Sequence, residues 1–144
     1  MKLKKILEKI DYKLLKGSEE VEVCDLAYDS RNVSDGYVFV SIVGNNVDGH
    51  DYIDNAIEKG AKAIIVSKEV EVSGDVTVVL VDNTSKILSR LSMNLFDNPQ
   101  DKMTTIAITG TKGKTTTSFM IKRIIEESGN KCGVIGTTGI YIGD

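Results

Sequence analysis

A glycine-, lysine- and threonine-rich stretch near the end of the sequence has the composition of a phosphate-binding loop. The stretch 109–117 reads T-G-T-K-G-K-T-T-T and lies between an apolar segment and a helical one. Glycines let backbone N–H groups converge on phosphate oxygens, and the start of the next helix carries partial positive charge. In such a loop Lys114 reaches the β- and γ-phosphates of a nucleotide, and the Thr115 hydroxyl binds Mg²⁺.

This loop departs from the general pattern at one position. That pattern has glycine five positions before Gly113, where this chain has Ile108, so the spacing is tighter. The alternative is a glycine turn that binds nothing. Because kinases, GTPases, ATPases and ligases share such loops, the motif alone predicts phosphate binding and no particular reaction.

Two other polar segments follow predicted strands. They are Asp29-Ser30-Arg31 and the stretch from Asn45 to His50. Ligands of α/β sheets commonly bind at strand ends, where Ser30 and the asparagines can hydrogen-bond and Arg31 can pair with an anion. The alternative is a surface ion pair between Asp29 and Arg31, with the asparagines in a turn. His50 has no Ser, Cys or Glu partner at a recognisable spacing, which favours a structural role over catalysis.

Short apolar segments alternate with helical ones, which predicts an α/β layer architecture. The apolar positions 3, 6, 7, 10 and 14 have helical spacing and predict a first amphipathic helix. Further helices are predicted over 51–59, after a capping Asn83, and over 115–128. Strands are predicted over 21–29, 37–43, 63–67, 76–81 and 103–108, and another begins in 131–136.

Pro99 marks the predicted boundary between two domains. It cannot donate a backbone hydrogen bond and disfavours helical geometry at Asn98. The expected organisation is a small α/β domain with a mixed sheet over 1–98, followed over 99–144 by the opening β-α-β unit of a phosphate-loop domain. Because a parallel sheet normally needs several such units, the second domain is expected to be truncated.

Composition excludes several classes of protein. The chain of 144 residues has a net charge of −3, which gives no electrostatic reason to expect nucleic-acid binding. Its 2 cysteines are too few for a disulfide framework. No segment has the length or apolarity of a signal peptide or membrane span. We therefore expect a cytoplasmic protein without membrane or nucleic-acid partners.

Taken together, these segments resemble the Mur ligases, the ATP-dependent amide synthetases of peptidoglycan precursor assembly. The family's loop reads T-G-T-x-G-K-T-(T/S), which 109–116 match with the same tight spacing. Its pattern D-S-R-x-V-x-x-G-x-x-F-V is matched from Asp29 to Val40, and G-x-x-x-D-G-H-x-(F/Y)-I-x-x-A-x-x-x-G-A from Gly44 to Ala61. The I-G-T-T-G run at 135–139 is similar to the members that add the third amino acid.

The resemblance implies a substrate, a reaction and a set of contacts. It implies ATP- and Mg²⁺-dependent addition of the third amino acid to UDP-MurNAc-L-Ala-D-Glu through an acyl phosphate, serving the cell wall, cell shape and cell division. Lys114 and Thr115 would be catalytic, with Thr115 on the metal. ATP would contact Gly110, Thr111, Lys112, Gly113, Lys114, Thr115 and Thr116. The UDP moiety would contact Tyr28, which replaces a leucine-like residue, together with Ser30, Asn45, Asn46 and Val47.

The same resemblance implies that much of the enzyme lies outside these residues. Acidic metal ligands, a carbamylated lysine and the amino-acid-binding domain of the family have no counterpart in the sequence. We therefore expect a fragment that is inactive alone and completed by the remainder of its own chain. The alternatives are a non-catalytic uridine-nucleotide-binding module and the related ligase that adds the terminal dipeptide.

Overall fold

The computed structural model describes residues 1–143 and divides the chain into two compact units, Met1–Met103 and Thr104–Asp144. The first unit contains a five-stranded sheet in the order β1-β5-β4-β3-β2. Strands β2 to β5 are parallel, and β1 is antiparallel to β5. The predicted mixed sheet is therefore confirmed. The strands are β1 (Lys13–Lys16), β2 (Asp25–Ala27), β3 (Tyr37–Val40), β4 (Ala63–Val66) and β5 (Thr77–Leu80).

Helices cover both faces of this sheet, because the side chains of its central strands alternate between two apolar clusters. Val38 and Val40 of β3 pack in one cluster with residues of α1 (Leu3–Ile6) and α3 (Thr84–Leu95). Phe39 lies between them in sequence and packs in the other cluster with residues of α2 (Ile53–Glu58). All four residues of β4 are buried. The result is a three-layer α/β/α unit, whose central strands are apolar throughout.

The predicted first helix is too long. The helix α1 ends at Ile6, Lys9 has a φ of 61°, and Leu14 lies in the edge strand β1. The register places Leu14 opposite Val79 of β5. The helical spacing of Leu14 is therefore coincidental, and pairing with a distant strand decides its structure.

The helix α3 begins and ends as its sequence indicates. The side chain of Asn83 accepts a hydrogen bond from the backbone N–H of Lys86 at 3.0 Å, which caps the helix. The last turn is followed by Asp97 and Asn98, both with positive φ, and then by a 3₁₀ helix that begins at Pro99. Pro99 therefore stands at a helix start, where its missing N–H costs little.

The second unit contains one helix, α4 (Lys114–Glu127), and a hairpin of β6 (Gly133–Gly136) and β7 (Gly139–Ile142). The predicted strand over 103–108 is not formed among the described residues, because no strand pairs with it. β6 pairs antiparallel with β7, so a parallel β-α-β unit is likewise not formed there. Several large apolar side chains of this unit are exposed, including Ile124, Ile135 and Ile142 at 69%, 83% and 85%.

Candidate functional site

A cavity of about 540 Å³ lies in the first unit at the carboxyl ends of β2 and β3. These strands are neighbours, with Ala27 opposite Phe39, so the segments that follow them leave the sheet side by side. This edge of a parallel sheet is where α/β folds bind ligands. The cavity is lined by Tyr28, Asp29, Ser30, Arg31, Phe39, Ile42, Gly44, Val47, Gly49 and Tyr52.

Ser30 is the buried polar residue of this cavity. It begins a 3₁₀ helix, Ser30–Asn32, in which the Asp29 carboxylate accepts a hydrogen bond from the Arg31 N–H at 2.9 Å. The Lys59 ammonium donates to the Ser30 carbonyl at 2.9 Å and to the Arg31 carbonyl at 3.1 Å. Ser30 is 7% exposed, and its hydroxyl has no hydrogen bond to any described residue. This hydroxyl is therefore available to a ligand.

Asp29 and Arg31 form a two-pronged ion pair at the mouth of the cavity. Arg31 Nε donates to Asp29 Oδ1 at 3.0 Å, and Arg31 Nη2 donates to Oδ2 at 2.7 Å. These bonds from Arg31 lower the pKa of Asp29 to about 2. The ion pair considered from the sequence is thus present. Because the Arg31 side chain remains 86% exposed, its outer face can still meet an anion.

The loop after β3 closes on itself before it returns to the sheet. The Gly44 N–H donates to the Val47 carbonyl at 2.9 Å, and Val43 and Asp48 form an isolated bridge. Val47 lines the cavity, as Tyr28 does. Asn45 and Asn46 lie at the exposed tip of the loop and are not part of the lining.

His50 is buried behind this loop and makes two hydrogen bonds through its ring. Nδ1 lies 2.6 Å from Asp48 Oδ1, and the backbone N–H of Ser67 donates to Nε2 at 3.1 Å. Since Nε2 accepts, the proton is on Nδ1 and the ring is neutral. Lys68 also donates to Asp48 at 2.7 Å, and Lys68 together with His50 holds the pKa of Asp48 well below its usual range. Both ring nitrogens serve structure, as the sequence indicated.

The predicted phosphate loop lies in the second unit. Gly113 has a φ of 79° and caps α4 through its backbone, so no side chain covers the first N–H groups of the helix. The Lys114 ammonium donates to the Gly110 carbonyl at 2.6 Å. Lys114 and Thr115 also line a cavity of about 290 Å³. The other predicted ATP contacts are exposed: Gly110, Thr111, Lys112, Gly113 and Thr116.

The hydrogen-bond donors and the hydroxyl of these residues are suited to a nucleoside triphosphate and its Mg²⁺. The first turn of α4 offers backbone N–H groups, Lys114 offers an ammonium, and Thr115 offers an exposed hydroxyl. Outside this loop, the described residues hold no group of three or more His, Cys, Asp or Glu side chains that could bind a metal. Among the same residues, no helix is long and apolar enough to cross a membrane.

Sequence reasoning missed Lys59, Tyr52 and Lys68. Lys59 reaches Ser30 across 29 positions of sequence, and Lys68 reaches Asp48 across 20, so no local pattern indicates either contact. For Tyr52 a partial signal is present, because it stands at the aromatic position of the motif matched from Gly44 to Ala61.

Comparison with known protein families identifies the family of the chain. Residues 23–94 match the model of "Mur ligase family, catalytic domain", which is half of the chain. The chain belongs to the Mur ligase family.

Two curated relatives with similar sequences are ligases whose names include a UDP-N-acetylmuramoyl peptide. The chain is 47% identical to the UDP-N-acetylmuramoyl-L-alanyl-D-glutamate--2,6-diaminopimelate ligase of Clostridium perfringens, across all of this chain and 30% of that protein. It is 38% identical to the UDP-N-acetylmuramoyl-L-alanyl-D-glutamate--L-lysine ligase of Staphylococcus haemolyticus, of which it covers 29%. The chain thus spans less than a third of the length of these relatives.

Solved structures of such ligases share the fold. A UDP-N-acetylmuramoyl-L-alanyl-D-glutamate--2,6-diaminopimelate ligase aligns with a TM-score of 0.71 at 22% identity, over 99% of this chain and 28% of that one. The UDP-N-acetylmuramoylalanyl-D-glutamyl-2,6-diaminopimelate--D-alanyl-D-alanyl ligase from Acinetobacter baumannii aligns with a TM-score of 0.65 at 20% identity, over 88% of this chain and 28% of that one.

Proposed function

We propose that this chain carries the uridine-nucleotide site and the ATP loop of a ligase that adds an amino acid to UDP-MurNAc-L-Ala-D-Glu. The observation that carries the proposal is the Ser30 hydroxyl: the residue is 7% exposed and lines the strand-end cavity, and its hydroxyl has no hydrogen-bond partner among the described residues. The names of the relatives supply the substrate class. In this proposal the first unit binds the UDP end, and the second unit begins the ATP-binding domain.

Within the first unit, the contacts to the UDP moiety would come from both strand-end loops. Ser30 would hydrogen-bond the nucleotide, and the exposed ring of Tyr28 offers a flat surface against which a base can stack. The loop after β3 would close over the other side. The full set that we propose for the UDP moiety is Tyr28, Ser30, Asn45, Asn46 and Val47.

Within the second unit, Lys114 and Thr115 would act at the transferred phosphoryl group. In the proposed reaction a substrate carboxylate oxygen attacks the γ-phosphorus, and the bond from that phosphorus to the bridging oxygen breaks. Lys114 would offset the negative charge that moves onto these oxygens. Thr115 would hold Mg²⁺, which supplies further charge neutralisation when bound.

The second step forms the amide. The amine of the incoming amino acid attacks the acyl carbon, and phosphate leaves with the electron pair of the broken carbon–oxygen bond while the amine loses a proton. We assign to the described residues the roles of nucleotide binding and phosphoryl transfer. The free thiols of Cys24 and Cys132 are consistent with a reducing cytoplasm, where we place the reaction.

The test is a titration of the 144-residue chain with UDP, in which binding is monitored by NMR through the chemical shifts of the backbone amides. We expect shifts in the segments after β2 and β3, and weaker binding by at least about fivefold in Ser30→Ala, for one lost hydrogen bond of about 1 kcal/mol. Ser34→Ala, at an exposed serine outside the cavity, is the matched control. UDP that shifts neither loop would refute the nucleotide site.

A further inference from the structure

The loop between Gly44 and Val47 has little structure of its own to hold it in place. One backbone hydrogen bond, from Gly44 to Val47, closes it, and most of its residues are exposed. A loop that binds a ligand must nevertheless keep its position, because reordering it on binding costs free energy. The contacts that fix it come from the next three residues, Asp48, Gly49 and His50.

Gly49 brings this segment against the end of β3. Its N–H donates to the Ile42 carbonyl at 2.8 Å. A Cβ at this position would lie 2.7 Å from the Ile42 nitrogen and 2.8 Å from the Ile42 oxygen, so only glycine permits the approach. On one side, the loop is thereby held against the segment that directly follows β3.

His50 joins the same segment to the next strand. Its Nε2 accepts from the N–H of Ser67, the residue directly after β4, and its Nδ1 faces Asp48. Asp48 in turn accepts from the His50 backbone N–H at 2.9 Å and from Lys68 at 2.7 Å. The His50 side chain is 3% exposed and is not part of the cavity lining. It therefore bridges two strand ends without reaching a ligand.

We propose that His50 is a positioning residue, which holds the loop 44–47 against the nucleotide cavity by linking Asp48 to Ser67. The inference rests on the proposed function, because it takes this loop as part of the UDP site. The bridge needs a neutral ring with its proton on Nδ1, since a proton on Nε2 would face the Ser67 N–H. In this proposal His50 makes no contact with the substrate.

The first test measures the tautomer of the His50 ring. His50 is the only histidine of the chain, so its imidazole ¹⁵N resonances are assigned without ambiguity. We expect the neutral Nδ1–H form near neutral pH, both without UDP and with saturating UDP. The Nε2–H form, or a direct contact of the ring with UDP, would overturn the inference, and neither result requires a variant that folds.

The second test is a pair of variants in the 144-residue chain. His50→Phe keeps a ring and removes both hydrogen bonds, whereas His50→Gln keeps an acceptor near the Ser67 N–H. We expect His50→Phe to shift the amide resonances of 44–47 in the free protein and to weaken UDP binding about tenfold, which corresponds to one to two lost hydrogen bonds. His50→Gln should restore binding to within about threefold of the native chain.

The outcomes separate this inference from the proposed function. If Ser30→Ala weakens UDP binding while His50→Phe leaves affinity and loop resonances unchanged, the positioning role is wrong and the nucleotide site stands. If UDP does not bind the native chain, the proposed function is wrong. In that case, unchanged loop resonances in His50→Phe would also refute the positioning role, and altered ones would support it.

Discussion

Ser41 lies just beyond β3 with its side chain fully buried. Its hydroxyl has no hydrogen-bond partner among the described residues, while its carbonyl accepts from the Thr84 hydroxyl at 2.9 Å. An unpaired buried hydroxyl costs desolvation without a compensating bond. Its backbone N–H also donates to the Ile65 carbonyl at 2.9 Å, so the residue combines two satisfied backbone groups with one unsatisfied hydroxyl.

Ser41→Ala should therefore not destabilise the first unit. We expect the free energy of unfolding to rise by up to about 1 kcal/mol, because the orphaned hydroxyl is removed. Thr84→Val, which removes the donor to the Ser41 carbonyl, should instead lower it by about 1–2 kcal/mol. Urea unfolding of both variants measures the difference. A clear loss of stability in Ser41→Ala would show that its hydroxyl has a partner in solution.

The ion pair of Asp29 predicts a loss of stability in acid. Its folded pKa of about 2 lies below the ordinary value, so the ionised carboxylate stabilises the fold above about pH 4. This contribution disappears as the pH falls towards about 2, and Asp48 acts in the same direction.

Urea midpoints across this pH range measure the effect. Asp29→Asn should reduce the loss, and Arg31→Gln should raise the pKa of Asp29 towards its ordinary value in a carboxyl NMR titration. An unchanged Asp29 pKa in Arg31→Gln would contradict the assigned cause.

At the scale of elements, α2 supports the turn that carries Ser30. Lys59, at the end of this helix, donates to the Ser30 and Arg31 carbonyls, which no other described side chain does. The strand β2 has only three residues and cannot fix the turn alone. The ammonium of Lys59 is therefore a structural cation that holds the turn lining the cavity.

The variant Lys59→Met tests the hydrogen bonds of the ammonium without changing the packing of the side chain, because methionine keeps an aliphatic stem. We expect UDP binding to weaken about three- to tenfold and the free energy of unfolding to fall by about 1–2 kcal/mol. Lys62→Met is the matched control, since Lys62 makes only an exposed pairing with Asp35 at 3.9 Å. Calorimetric titration and urea unfolding report the two effects, and equal behaviour of the variants would contradict the role of Lys59.

The sequence predicts these elements well where local signals are sufficient. The central strands β3, β4 and β5 are continuous apolar segments, and α3 has its capping Asn83, so each was predicted within a few residues. Helical spacing wrongly places Leu14 of β1 in the first helix, because its pairing partner Val79 lies 65 positions further along the chain. The candidate site follows the same rule: Ser30 and Val47 stand in local motifs, whereas Lys59 acts through a contact across 29 positions that no spacing indicates.

At the scale of the molecule, the apolar core lies in the first unit. Both buried clusters belong to residues of Met1–Met103, whereas the second unit buries few side chains. Stability and phosphate-loop chemistry are therefore expected to be carried by different parts of the chain.

A chain of residues 1–103 should consequently fold without the second unit. We expect its urea midpoint and its affinity for UDP to match those of the 144-residue chain. Circular dichroism and UDP titration of the two chains provide the comparison. A large loss of either property in the shorter chain would show that the units depend on each other.

The bond from Ser67 to His50 has a consequence for measurements of motion. A backbone amide directly after a strand usually exchanges with solvent as the strand end frays, but the Ser67 N–H is held by a buried ring. We expect it to exchange when the imidazole leaves, which also frees the loop 44–47. The hydrogen-exchange rate of this single amide would thus report how often the loop 44–47 leaves its position beside the strand-end cavity.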